Sequence, residues 1–315
     1  MGEANFVGFD NYAKLLGDSA FYTSLGRTFI YTLFAVPIAY CLALSMAVAI
    51  NSAAARGKVA ARIIFFLPWL VSPIVAGVIW RWLFGESFGF VNFVIRELGA
   101  DPLPWSTNAD LSLAVVILAS AWGGAAFNML LFIAALNNVP QSYYEAAQLD
   151  GAGAWRRFWH ITLPSIAPTS VLVILLSTLG HMKEFAMIQA LNGGGPGTQN
   201  RLIVQYIYET GFKRSEIGYA SAASMILLVI LMVIAIIQMK ISRRAGGDSD
   251  VHCHVDRRAE EAATRGRGAA PQADSADQRP VGAGHPDGLS AALVPAVLLQ
   301  AGQRAVLLPA LLPAA

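Results

Sequence analysis

Charged side chains are scarce in this chain: Asp, Glu, Lys and Arg make up 13% of its 315 residues, while hydrophobic residues make up 56%. An ordinary soluble domain carries about 25% charged residues, so the polar cover for a water-exposed surface is missing. Cysteine is nearly absent. Cys41 lies in an apolar run and Cys253 in a polar stretch, a pattern that supports neither a disulfide framework nor a ligand cluster. The net charge of +2 supplies no concentrated basic patch for nucleic acid. No phosphate-binding loop is present. Gly57-Lys58 is followed by Val59 and lacks the preceding glycine, and the glycine-rich residues 192–198 lack a following Lys-Ser/Thr pair. Residues 1–27 mix polar and aromatic side chains, unlike the basic flank and apolar core of a cleavable signal peptide.

What is present is a series of long apolar blocks. A hydrocarbon core of ~30 Å needs about 20 helical residues at ~1.5 Å each, and five segments meet that length. Residues 28–50 contain no charged residue or histidine, with Pro37 inside; such a proline is tolerated where neighbouring helices satisfy the freed carbonyl. Residues 63–84 follow, with Pro68 and Pro73 inside and Trp69, Trp80 and Trp82 near the ends, where aromatic rings favour the interface. Residues 111–136 include Gly123, Gly124, Ala125 and Ala126, small enough for close helix approach. Residues 166–188 and 217–239 complete an all-α polytopic transmembrane helix bundle.

Loop charge sets the orientation. Arg56, Lys58 and Arg62 lie in a loop without acids, and Lys240, Arg243 and Arg244 follow the last span, which assigns both to the cytoplasm. Residues 85–110 are net acidic and belong outside, with the N-terminal residues 1–27. Arg201, Lys213 and Arg214 are exceptions, being cations in a loop that this topology puts outside. From about residue 245 the sequence has no aromatic residue, isoleucine or lysine. Disorder is expected there, and we hypothesise an altered-frame or otherwise aberrant extension, which continuity of the frame with relatives of the same composition would exclude. His252-Cys253-His254, isolated in this stretch, reads as no more than a metal fragment.

Between the third and fourth spans, residues 140–164 read PQSYYEAAQLDGAGAWRRFWHITLP. A short helix over 143–150, a glycine turn at Gly151 and Gly153, and a second helix over 154–160 form a helix-turn-helix at the cytoplasmic face. Glu145-Ala146-Ala147, three residues, Gly151, nine residues and Ile161-Thr162-Leu163-Pro164 resemble, in residues and spacing, the EAA signature of binding-protein-dependent ABC importer permeases. Residues 6–12 (FVGFDNY) and 192–198 (NGGGPGT) resemble external segments of the carbohydrate-uptake branch, of the maltose and glycerol-phosphate transporter type. The resemblance covers roughly residues 6–244. The family's usual first span has no counterpart in it.

The resemblance implies the type I ABC importer permease fold over residues 28–244. It also implies a second permease subunit, a cytoplasmic ATPase dimer, an extracytoplasmic solute-binding protein and a home among the lipids of the bacterial inner membrane. ATP would be bound by the separate ATPase, and no cofactor or metal by this chain. Glu145, Ala146, Ala147, Asp150, Gly151, Ile161, Leu163 and Pro164 would couple to that ATPase. Lys183 and Glu184, toward the outer end of the fourth span, either form a local pair at the interface or line the solute path. A rival reading makes His181, Lys183 or Glu184 the acid–base groups of a membrane-embedded enzyme.

Overall fold

The computed structural model describes residues 7–52 and 57–241. Phe6, Arg56, Arg243, Arg244, His252-Cys253-His254 and the hypothesised extension from 245 lie outside the described residues. In chain order the helices are α1 (Asp10–Leu16), α2 (Ser19–Asn51), α3 (Lys58–Leu70), α4 (Pro73–Leu83), α5 (Phe90–Glu97), α6 (Ala109–Asn137), α7 (Gln141–Leu149), α8 (Ala154–Arg157), α9 (Leu163–Ser165), α10 (Ala167–Met182), α11 (Ala186–Leu191), α12 (Ile203–Tyr208) and α13 (Ile217–Ile241). Single π-helical turns follow α8 (Phe158–Thr162) and α12 (Glu209–Lys213).

Among the described residues three helices, α2, α6 and α13, are long and apolar enough to cross a membrane, and the number rises to five where each of two bent pairs is counted as one span. Residues 63–84, expected as one continuous span, are instead α3 and α4 meeting at 96°. Ser72, which precedes Pro73, is extended at φ −55°, ψ 135°, because a proline ring disfavours helical geometry in the residue before it. The fourth span is also shorter than expected. Residues 154–165 and 167–182 are bent by 69°, and α10 stops at Met182 rather than reaching 188. The first span begins earlier, at Ser19, where the Asp18 carboxylate caps the helix by accepting from Ala20 N at 2.8 Å. Its 33 residues extend about 50 Å, so its polar first turns outreach the hydrocarbon.

α2 and α6 run side by side in the same direction. Tyr31 and Ala35 meet Leu113, Val116 and Ala119 in the outer half, and Ala43 and Ala47 meet Ala125, Met129 and Phe132 in the inner half. The reason is a stripe: Ala35, Ala39, Ala43 and Ala47 recur every fourth residue on one face of α2 and are fully buried. Lipid gives no hydrophobic drive for two apolar helices to associate, so close backbone approach through small side chains supplies the contact. Away from this seam, α2 carries Leu33 and Phe34, and α13 carries Val229, Met232, Val233 and Ile236, all exposed, as a lipid-facing or subunit-facing surface requires.

A polar cluster closes the outer end. Tyr206 and Tyr219 hydroxyls both donate to Asp18 Oδ2, and the Arg201 guanidinium, only 7% exposed, reaches Glu209 at 3.1 Å and lies over the Tyr206 ring. Lys213 bonds the same Glu209 at 3.2 Å. Two of the three cations that depart from the charge rule, Arg201 and Lys213, thus share the one Glu209 carboxylate.

Candidate functional site: an exposed helical segment and a polar-aromatic cavity

The segment after α6 has one loose face and one anchored end. No residue of α7 is buried. Glu145, Ala146 and Asp150 are exposed, Ala147 is half-buried, and Leu149 presents 91% of its surface. Gly151 ends the helix at φ +73°. Its N–H donates to Gln148 O at 3.0 Å and the Ala152 N–H to Ala147 O at 2.8 Å, the paired bonds of a Schellman cap. The spacing from Ala147 to Gly151 is therefore a helix stop that requires a left-handed residue. Beyond the turn, α8 carries Trp155, 74% exposed, with Arg156 exposed and Arg157 half-buried.

The other end is fixed. Leu163 and Phe158 pack against the inner α2–α6 core, beside fully buried Ile166. Ile161 is half-buried and Pro164 exposed, Pro164 standing in the first turn of α9, where its missing N–H costs nothing. Tyr144 Oη lies 3.0 Å from Thr162 Oγ1, tying α7 to the π-helical turn. Tyr144 and Thr162 were missed at the level of sequence, since two hydroxyls 18 positions apart carry no local signal.

Lys183 and Glu184 part company. Lys183 is exposed at the C-terminal cap of α10, a favourable place for a cation at the negative end of a helix dipole. Glu184 turns into a cavity of about 550 Å³ between the α3–α4 break, α6 and α10. Its Oε1 accepts from Phe185 N at 3.2 Å and Met187 N at 3.3 Å. No ion pair joins it to Lys183 among the described residues.

The same cavity exposes Trp69, Trp122 and Phe127, with Trp69 stacked on Phe127 at 4.9 Å between ring centroids. Trp69 thus serves the cavity wall rather than the end of a span. Asn128 Nδ2 donates to Ser177 Oγ at 2.8 Å, leaving Asn128 Oδ1 as an acceptor. His181 Nδ1 lies 2.7 Å from the Ser177 carbonyl. A carbonyl can only accept, so Nδ1 carries the proton and Nε2 of the neutral ring is left as an acceptor. Gly124 makes room for this ring: a methyl there would lie 3.4 Å from His181 Cε1. Among the described residues no group of three or more His, Cys, Asp and Glu side chains could hold a metal ion.

A contact between α4 and α11 bounds this cavity on the outer side. A methyl on Gly77 would lie 2.5 Å from the Met187 carbonyl oxygen and 2.8 Å from Ala190 Cβ. Beyond the contact is a smaller pocket of about 290 Å³ lined by Arg81, Trp105, Gln189 and Asn192. Its rim is fixed by Glu86. The backbone N–H groups of Thr107 and Ser106 donate to Glu86 Oε1 at 2.7 and 2.8 Å and, led by the bond from Thr107, hold its carboxyl below the usual range against the opposing effect of burial.

The family described as "Binding-protein-dependent transport system inner membrane component" matches residues 12–246. The arabinooligosaccharides transport system permease protein AraP of Bacillus subtilis (strain 168) is 34% identical over 249 residues, 78% of this chain and 79% of its own length. The sn-glycerol-3-phosphate transport system permease protein UgpA of Agrobacterium fabrum (strain C58 / ATCC 33970) is 33% identical over 240 residues, 75% of this chain and 80% of its own. Among solved structures, a chain of a bacterial ABC transporter involved in the import of the acidic polysaccharide alginate superposes with a TM-score of 0.66. It is 26% identical and covers 77% of this chain and 85% of its own.

Proposed function

Since the chain belongs to the binding-protein-dependent transport system inner membrane components, a family of multi-pass inner-membrane permeases and not of enzymes, we propose that it forms half of the solute path of an ATP-driven sugar importer. Its coupling element is the segment from α7 to α9. A second permease completes the path, a cytoplasmic ATPase dimer binds the ATP, and an extracytoplasmic binding protein delivers the solute. The observation that carries the coupling role is the contrast within that segment. Glu145, Ala146 and Leu149 are left bare on a rigidly capped helix, while Leu163 and Ile166 root the same segment in the α2–α6 core. A helix so placed transmits displacement of a docked ATPase to α6 and α10, because its far end cannot move independently of them.

The solute path in this reading runs through the cavity at Glu184. Lys183 is exposed and is not among the residues that line it. A sugar is favoured by the wall itself, where flat aromatic faces alternate with hydrogen-bond acceptors. The relatives' names include arabinooligosaccharides and sn-glycerol-3-phosphate, so family membership leaves the charge of the solute open. The test is affinity purification of the full chain from detergent-solubilised native membranes. An ABC ATPase and a second permease should accompany the wild type, and Glu145→Lys should lose the ATPase while retaining membrane insertion. Retention of a normal ATPase complement by Glu145→Lys would refute the coupling role.

A further inference from the structure

The geometry points to a charge filter: the cavity admits neutral, hydroxyl-rich saccharides and rejects acidic ones, with Glu184 as the specificity-determining residue. This rests on the importer reading above and adds the class of solute. Among the described residues lining the 550 Å³ cavity, Glu184 is the one Asp, Glu, Lys or Arg. Two of the other polar groups there, His181 and Asn128, point the same way. His181 uses Nδ1 on the Ser177 carbonyl, and Asn128 uses Nδ2 on Ser177 Oγ. Nε2 of His181, Oδ1 of Asn128 and the second oxygen of Glu184 are therefore left to accept. These acceptors, set beside a carboxylate and between aromatic faces whose indole N–H groups at Trp69 and Trp122 can donate, suit a neutral ligand that brings hydroxyls, which both donate and accept, and C–H faces that stack on Trp69 and Trp122. A carboxylate, sulfonate or phosphate brings further acceptors and a like charge.

The neighbouring cations do not alter this. Lys183 is exposed and is not among the residues lining the cavity, and Arg81 lines the smaller pocket, beyond the contact of Gly77 with Met187 and Ala190. At an effective dielectric constant of about 20, two like charges roughly 6 Å apart repel enough to weaken binding about a hundredfold. That repulsion is removed when Glu184 is made neutral. Glutamine is the fitting replacement, because its side-chain oxygen can still accept from the Phe185 and Met187 N–H groups and so preserve the turn into α11.

The experiment is equilibrium binding of radiolabelled arabinotriose and trigalacturonate to the complete permease–ATPase complex in lipid nanodiscs, for wild type and Glu184→Gln. Wild type should bind arabinotriose and discriminate against trigalacturonate by about a hundredfold. Glu184→Gln, whose amide NH2 replaces the second acceptor oxygen, should weaken arabinotriose by no more than about tenfold and close most of that gap. Equal or tighter binding of trigalacturonate by wild type, or a ratio unmoved by Glu184→Gln, would overturn the filter. Binding of neither sugar, with ATPase and second permease still present in the complex, would also overturn it while leaving the importer reading intact. Absence of those subunits would instead count against the importer reading.

Discussion

Replacing Gly151 tests the coupling segment through a cost that can be worked from the backbone. At φ +73° an L-residue pays roughly 1–2 kcal/mol for the left-handed conformation. No other atom lies within 4 Å of an added methyl, so this local cost is the whole steric effect of Gly151→Ala. One to 2 kcal/mol corresponds to an about 5- to 30-fold loss in the relative population of the correctly capped helix. Asparagine tolerates the left-handed region better and should lose less. Proline should lose most, since its φ is fixed near −65° and it removes the N–H that donates to Gln148. The assay is ATP-driven uptake by proteoliposomes containing the full importer, read beside ATP hydrolysis. Uptake should fall in the order Gly, Asn, Ala, Pro, with insertion of the chain unchanged. Alanine equal to glycine, or active proline, would refute the view that a left-handed cap holds α7.

Other expectations follow from the same coordinates. Gly77→Val places a branched side chain where a single methyl already meets the Met187 carbonyl at 2.5 Å; it should cost about 1–3 kcal/mol as an overpacked contact, seen as a lowered Tm in detergent. Ala43→Leu should separate α2 from α6 by a similar penalty, and unchanged thermal stability would show that the alanine stripe is not the seam. Burial pushes the Asp18 carboxyl up, but bonds from Tyr206, the Ala20 N–H and Tyr219 outweigh it and hold the group below its ordinary value. The stabilisation is therefore full above about pH 4 and lost as pH falls through the lowered value. Asp18→Asn should flatten stability against pH across that acidic range, and a wild-type pH profile in the variant would refute the link.

Much of the helix order was legible because apolar length is a direct consequence of bilayer thickness, and α2, α6 and α13 contain the expected segments at 28–50, 111–136 and 217–239. The breaks were less legible. Pro73 lay in plain view, yet a proline inside an apolar run reads equally as a kink or a tolerated interruption, and the contact with α11 that holds α4 at 96° comes from residues 187–191. The separation of Glu184 from Lys183 could not be read because it depends on α10 ending at Met182; a helix continued to 188 would have turned both by a fixed 100° per residue. The cavity escaped for a related reason. Trp69, Trp122, Asn128 and Ser177 come from three separate helices, and each alone is an ordinary membrane residue. The segment proposed to couple had its geometry written locally, with Ala147 and Gly151 inside one cap.

A photoreactive amino acid in place of Leu149 would probe the central claim most directly, by ultraviolet crosslinking in intact native membranes and identification of the adduct. Docking of α7 on the cytoplasmic ATPase predicts a covalent adduct with that subunit, and none from the same probe at Phe212, an exposed residue of the outer end. Absence of an ATPase adduct from position 149, or its appearance from position 212, would contradict both the coupling role and the orientation on which it depends.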